Sequence, residues 1–243
     1  MDLKILKLFF LPVPILLIVI FLGSRMAGAV QATDLNPNSD VGLDSDGDGY
    51  SDTQEIKSGY SPVNPAKVKI AKSDMDQDGL NDYWELKFQT DPLDADSDGD
   101  GYKDGTEIDF AHNPLSSSSA KLAQKIEINL KAQKLVYLVG GQPWKEFSIS
   151  TGKASTPTPT GNYKIFNKVQ KAWSSAYKLW MPYWLGLNHG EFGIHELPVW
   201  PSGYREGADH LGTPVSHGCI RLGIGPAQYV YERVSKGTEV VIK

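Results

Sequence analysis

Cysteine is nearly absent: the 243 residues contain one, Cys219. A single thiol excludes an intrachain disulfide framework and a multi-cysteine metal centre, and its distance from the N-terminus excludes a lipid-modified leader cysteine. Also missing are a phosphate-binding glycine loop and a zinc H-E-x-x-H helix. His195-Glu196-Leu197-Pro198 fails the latter because residue 199 is Val. Basic residues are scarce in the first half, where 40–113 holds nineteen Asp and Glu against six Lys and Arg. From 120 to 243 the balance reverses, eight acidic against fifteen basic. That excess is too diffuse for a nucleic-acid interface, so no nucleic-acid partner is expected.

Long apolar runs are lacking apart from Leu8 to Gly23. Lys4 and Lys7 before it and Ala27-Gly28-Ala29 after it give residues 1–32 the layout of a signal peptide or an N-terminal membrane anchor. Pro12 and Pro14 argue against a buried helix. The rest of the chain is then extracytoplasmic, secreted or held at the membrane by its N-terminus. Residues 33–43, rich in Asn, Asp, Ser and Pro, read as a solvated spacer.

Within 44–115 one pattern occurs three times: DSDGDGYSDTQE from Asp44, DMDQDGLNDYWE from Asp74 and DSDGDGYKDGTE from Asp96. Acidic oxygens fall at positions 1, 3, 5, 9 and 12 of each, with glycine at 6, which is the ligand order of an EF-hand-type calcium loop. The candidate ligands are Asp44, Asp46, Asp48, Asp52 and Glu55; Asp74, Asp76, Asp78, Asp82 and Glu85; and Asp96, Asp98, Asp100, Asp104 and Glu107. Carbonyls of Tyr50, Leu80 and Tyr102 would add position 7. An unstructured acidic tail has no reason to keep this register three times. Few apolar residues separate the loops, so bound Ca2+ is expected to serve as their core, giving loops and short helical turns that stiffen on loading. An apolar residue follows each last glutamate (Ile56, Leu86, Ile108), and Pro62, Pro92 and Pro114 share one offset. The segment resembles thrombospondin type 3 repeats. Dockerins share the loop but pair it differently.

Residues 116–123 begin with a serine run and read as a linker. Beyond them, alternation predicts strands at Lys125–Leu130, Lys134–Val139, Trp144–Ser150 and Asn162–Val169, with a Gly140-Gly141 turn. A helix is predicted after Pro226 with Ala227, Val230 and Val234 on one face, then a last strand from Glu239 to Lys243. This describes a mainly β sandwich or barrel with one or two short helices over 124–243.

Cys219 lies in Ser216-His217-Gly218-Cys219-Ile220-Arg221. A thiolate attacks and an imidazole can take its proton. On a strand, His217 and Cys219 would share a face, and Gly218 would let a carbonyl approach the backbone. Together with Ser150-Thr151-Gly152, TPTPTGNY from Thr156 and the upstream Ile194-His195, this motif resembles the YkuD-like L,D-transpeptidase catalytic domain.

The resemblance implies a peptidoglycan enzyme that needs no cofactor for catalysis. Cys219 would attack the carbonyl of the third residue of a stem peptide, expel D-alanine and pass the acyl group to a neighbouring stem as a 3→3 cross-link. Water as acceptor would make it an L,D-carboxypeptidase, and a protein amine an anchoring transferase. A catalytically dead, calcium-dependent wall-binding protein is the reading from another class. The resemblance makes His195 the base, oriented by the Glu196 carbonyl, and gives His217 to substrate binding or site structure. Gly218 and Cys219 N–H groups would hold the oxyanion. Ser216, Tyr183 and Trp184 are expected at the substrate, and Arg221 as a carboxylate clamp or a structural ion pair. The 24 residues from His195 to Cys219 exceed the family spacing, placing an insertion within Pro198 to Leu211. The protein is expected to be a monomer.

Overall fold

The computed structural model describes residues 42–243. The leader or anchor expected at 1–32 lies outside the described residues, as does nearly all of the 33–43 spacer. Among the described residues no helix is long and apolar enough to cross a membrane.

Each acidic loop runs into a short helix: α1 (Asp52–Ser58), α2 (Asp82–Phe88) and α3 (Asp104–Asp109). All three helices open on loop position 9 and carry the position 12 glutamate one turn later. Asp and Glu in a first turn suit the positive end of the helix dipole. Ser51 and Gln54 form a capping box on α1, and the Asn81 side chain caps α2. Left-handed residues end both, Gly59 at φ 76° and Gln89 at φ 67°.

Nine strands follow: β1 (Gln124–Asn129), β2 (Lys134–Val139), β3 (Gln142–Ser150), β4 (Gly161–Lys164), β5 (Asn167–Ser174), β6 (Leu179–Leu187), β7 (Phe192–Glu196), β8 (Ile220–Leu222) and β9 (Glu239–Ile242), with α4 (Pro226–Arg233) before the last. They form one mixed sheet in the order β4-β9-β1-β2-β3-β8-β7-β6-β5. The single strand expected over Asn162–Val169 is two. β4 pairs with β9 at one edge and β5 with β6 at the other. Only Ile165 and Phe166 join these two edges, so the sheet has to curl into a half-barrel. Ile165 is buried inside it, while Phe166 is exposed.

Helix α4 packs on β6, β7 and β8, burying Ala227 and Val230. The core is continuous with the repeats, which corrects the expectation that metal alone would organise them. Leu80, Ile108 and Ala111 are fully buried in the same cluster as Ile126, Tyr137 and Ile220, and Trp84 and Phe88 pack against it. The rings of Trp84 and Trp144 meet edge to face at 5.3 Å.

Candidate functional site

Strands β7 and β8 run parallel, with Ile194 beside Ile220 and His195 beside Arg221. This register brings the upstream histidine to the mouth of the cysteine loop. His195, Cys219, Ser216, His217 and Arg221 line one small cleft of about 90 Å³, together with Tyr177, Leu179, Met181, Pro198, Trp200 and Glu206.

His195 is 3% exposed. Its Nδ1 lies 2.5 Å from the Glu196 carbonyl oxygen. A carbonyl can only accept, so Nδ1 carries the proton and Nε2 keeps its lone pair. The ring stacks on Trp184 at 5.9 Å. Burial, assisted by the Arg221 charge, pushes the imidazole pKa down to about 3. Burial also pushes the Cys219 thiol above its usual value, opposed by a hydrogen bond from the Gly193 backbone N–H and by the charge of Arg221. The two groups thus rest as a neutral thiol and a neutral imidazole.

Ser216 to Cys219 is a loop, not a strand. β8 starts at Ile220, and Gly218 sits at φ 120°. His217 therefore does not share a strand face with Cys219. It is exposed and lies against the Tyr177 ring at 4.6 Å. The Gly218 N–H is donated to Ser216 Oγ at 3.1 Å, and that hydroxyl donates to the Cys219 carbonyl at 2.6 Å.

The TPTPTG segment buttresses this loop. Thr158 Oγ1 accepts from the Gly152 N–H at 2.8 Å and donates to the Gly218 carbonyl at 2.9 Å. Thr156 Oγ1 donates to the Ser216 carbonyl at 3.1 Å. Gly152 is obligatory here, because a Cβ would lie 2.6 Å from the Thr158 nitrogen.

Tyr183 and Trp184, expected at the cleft, do not line it. Tyr183 packs on Tyr231, and Trp184 is a buried support behind His195, its Nε1 donating to Asn167 Oδ1 at 3.2 Å. Leu179 and Met181 of β6 line the cleft instead; Tyr183 would share their face, but its φ of 53° interrupts the alternation between the Pro182–Lys171 and Trp184–Val169 pairs. The long β7–β8 connection folds over the cleft and contributes Pro198, Trp200 and Glu206. It is tied down by a Val199–Trp180 bridge and a Glu196–Arg205 ion pair. Arg221, left open between clamp and ion pair, donates Nη1 to Glu206 Oε2 at 2.5 Å. Gly193, Tyr177 and Glu206 escaped sequence reasoning because none lies in the motifs. A Cβ at Gly193 would meet the Trp184 ring at 3.0 Å, a contact visible only once β6 and β7 are paired.

In the repeats, the carboxylates of Asp44, Asp46 and Asp48 converge, as do those of Asp74, Asp76 and Asp78 and those of Asp96, Asp98 and Asp100, with ligand atoms in each group within 4.8 Å. Buried oxygens without a hydrogen-bond partner occur in all three loops, on Asp46 and Glu55, on Asp74, Asp76, Asp82 and Glu85, and on Asp98 and Glu107. Burial and the neighbouring aspartates push Glu55 and Glu107 up to about 7 and Glu85 up to about 10. Convergent, desolvated, hard oxygens with no proton donor to satisfy them fit a divalent cation such as calcium.

The position 9 aspartates serve differently from the other candidates. Asp52 accepts from the Ser45 N–H and hydroxyl at 2.8 and 2.7 Å, and Asp104 from those of Ser97 at 3.0 and 2.5 Å. Both clasp their loop closed. Asp82 accepts from the Ser61 hydroxyl and ties the first repeat to the second. Carbonyls of Tyr50, Leu80 and Tyr102 follow the position 6 glycines, which take φ values of 94°, 96° and 96°.

Residues 123–242 match the L,D-transpeptidase catalytic domain, and residues 44–59, 74–95 and 96–109 match the bacterial TSP3 repeat. YciB of Bacillus subtilis (strain 168) is 36% identical over 124 residues, 48% of this chain and 64% of its own. YkuD of the same organism is 30% identical over 117 residues, with the same two coverages. The chain therefore spans just under two thirds of each curated relative. Among solved structures, an L,D-transpeptidase from Stackebrandtia nassauensis is 30% identical with a TM-score of 0.41, covering 51% of this chain and 57% of that one. A mutant L,D-transpeptidase of Enterococcus faecium is 28% identical with a TM-score of 0.41, covering 50% of each.

Proposed function

Since residues 123–242 are an L,D-transpeptidase catalytic domain behind bacterial TSP3 repeats, we propose that the protein forms 3→3 cross-links between peptidoglycan stem peptides through a Cys219 acyl-enzyme. The observation that supports this reading is the pairing in one cleft of Cys219 with His195, whose Nδ1 proton is committed to the Glu196 carbonyl.

In this reading the donor stem lies in the cleft with the carbonyl of its third residue at Cys219. His195 Nε2 takes the thiol proton as Sγ attacks the carbonyl carbon. Because both groups start neutral, proton transfer accompanies attack. The tetrahedral oxyanion is received by the Cys219 N–H, since Gly218 has given its own to Ser216. On collapse the C–N bond to D-alanine breaks, and its amine leaves with the proton held by His195. The amine of a second stem then attacks the thioester, His195 takes that proton, and the thiol is restored as the new amide forms.

Calcium is the ion this reading gives to the repeats. Asp44, Asp46, Asp48 and Glu55, with their counterparts in the second and third loops, would hold it. Bound there, it would neutralise carboxylates that otherwise repel one another. Peptidoglycan as substrate places the catalytic domain outside the cytoplasm, and residues 1–32 would direct it there.

Intact-mass analysis of the full chain after incubation with a carbapenem, and of muropeptides after incubation with tetrapeptide-bearing sacculi, tests the proposal. The expected results are one adduct, lost in Cys219→Ala, and 3→3 dimers with release of D-alanine. A folded protein giving neither would overturn it.

A further inference from the structure

Arg221 is incompletely hydrogen-bonded. Its side chain is 9% exposed. Nη1 donates to Glu206, yet Nε is buried without a hydrogen-bond partner. An unpaired guanidinium N–H is costly inside a protein, and such groups mark places where a ligand is received. Glu206 makes one bond to this guanidinium, through Oε2, and the same oxygen accepts from His210 Nδ1 at 3.1 Å. Its backbone N–H donates to the Pro198 carbonyl at 3.2 Å. Glu206 belongs to the inserted connection, not to the sheet, and its side chain is 14% exposed at the cleft edge. Arg205, its neighbour, is held by Glu196.

A carboxylate supplied by a loop therefore sits on a guanidinium two residues from the nucleophile, inside the cleft. Chemically it is the group with which a peptide ends. We infer that Glu206 is an internal occupant of a carboxylate subsite at Arg221, displaced when the C-terminal carboxylate of the donor peptide arrives. Glu206 is thus a specificity-determining residue for donors that end one residue beyond the attacked carbonyl. This rests on reading Cys219 as the acyl-transfer nucleophile. A donor carboxylate that takes the Nη1–Nη2 edge of Arg221 forms two charge-assisted bonds where Glu206 forms one. The displaced Glu206 retains His210 and gains water. A neutral peptide end cannot compensate Arg221, so Glu206 stays in place and obstructs it.

The test uses two probes of the same thiol, iodoacetate and iodoacetamide, with alkylation rates of Cys219 measured on the full chain by intact mass. Dividing one rate by the other cancels thiolate fraction and general access, leaving the response to a probe carboxylate. In Glu206→Gln the iodoacetate-to-iodoacetamide ratio is expected to rise roughly tenfold, as one negative charge near the sulfur is removed at intermediate dielectric. In Arg221→Gln it is expected to fall below that of the wild type. Glu206→Ala serves if the Gln variant loses its cooperative melting transition. An unchanged ratio in a folded Glu206 variant would overturn the inference. Alkylation requires only a thiol, so this outcome is independent of whether 3→3 dimers form. With stem peptides, the KM of the acid relative to its C-terminal amide is expected to drop in Glu206→Gln.

Discussion

Asp109 Oδ2 accepts from Arg233 Nε at 3.0 Å, linking the end of the third acidic loop's helix to the helix that backs the cleft. Asp109 Oδ1 accepts from the Tyr229 hydroxyl at 2.5 Å and from Trp144 Nε1 at 3.3 Å. The Arg233 guanidinium lies over the Tyr229 ring, 3.7 Å from its centroid. Asp109 stands two residues beyond Glu107, so α3, which carries the last ligand candidate of the third loop, is tied directly to α4.

Asp109→Asn keeps the shape of this junction but weakens it. Burial raises the Asp109 carboxyl, but the Arg233, Tyr229 and Trp144 hydrogen bonds with the Arg233 charge outweigh it, and the net pKa is lowered. A lowered carboxylate contributes stability that is present above its unfolded value and is lost as pH falls through the folded one, so the window lies below about pH 4. We expect Asp109→Asn to cost about 1–3 kcal/mol at pH 7 in urea unfolding, the range for a half-buried charge-assisted bond. The difference from wild type should shrink towards pH 3. An equal difference at both pH values would contradict this assignment.

Chelation is expected to destabilise more than the repeats. Leu80, Ile108 and Ala111 belong to the catalytic core cluster, and Trp84 rests on Trp144. Removing calcium should therefore lower the melting of the described fold as one transition and alter tryptophan fluorescence, both restored by excess calcium. Each site would contribute about 2.7 kcal/mol when calcium stands at a hundred times its Kd. Two separate transitions, with the upper one indifferent to chelator, would mean that the repeats are an independent stalk.

The thiol should titrate late. Cys219 is raised above its usual value and His195 is pushed down to about 3, so no thiolate–imidazolium pair forms near neutrality. Alkylation of Cys219 by iodoacetamide is expected to climb roughly tenfold per pH unit through pH 8, without a plateau between 5 and 7. His195 stays neutral and able to accept a proton throughout this range. His195→Ala is expected to slow carbapenem acylation by about 10²–10⁴, the usual worth of a positioned base. A plateau near pH 6 would refute the neutral pair.

Gly152→Ala places a methyl against Thr158 and Pro157, with 2.6 Å to the Thr158 nitrogen and 2.8 Å to the Pro157 carbonyl carbon. Both contacts are backbone and cannot rotate away. We expect a loss of about 1–3 kcal/mol, together with slower Cys219 acylation, because Thr158 holds the Gly218 carbonyl. Gly223→Ala is the control: its Cβ would find only a Leu211 side-chain carbon at 3.2 Å and Pro226 at 4.0 Å. Melting temperature and acylation rate on both variants separate the two cases.

The sequence by itself determined whatever is contiguous. An acidic loop collects its carboxylates from twelve consecutive residues, so spacing alone locates them, and the glycine turns that order them are equally local. The strands β1, β2 and β3 and helix α4 were legible for the same reason, their apolar period matching one buried face. The nucleophile candidate was legible as the only thiol.

Tertiary structure decided the partners. His217 is the nearest histidine in sequence, but the turn at Gly218 breaks the face it would share with Cys219, and the parallel β7–β8 register brings His195 from 24 residues away. Periodicity could not show that β4 and β5 separate to opposite edges of the sheet, because only sheet closure makes Ile165 a core residue. Nor could it show that Asp52 and Asp104 turn to serines, that Arg221 meets Glu206, or that Asp109 meets Arg233. These pairings depend on which distant surfaces are pressed together, and the burial that follows sets their strength. One chain segment carries no record of the other's approach.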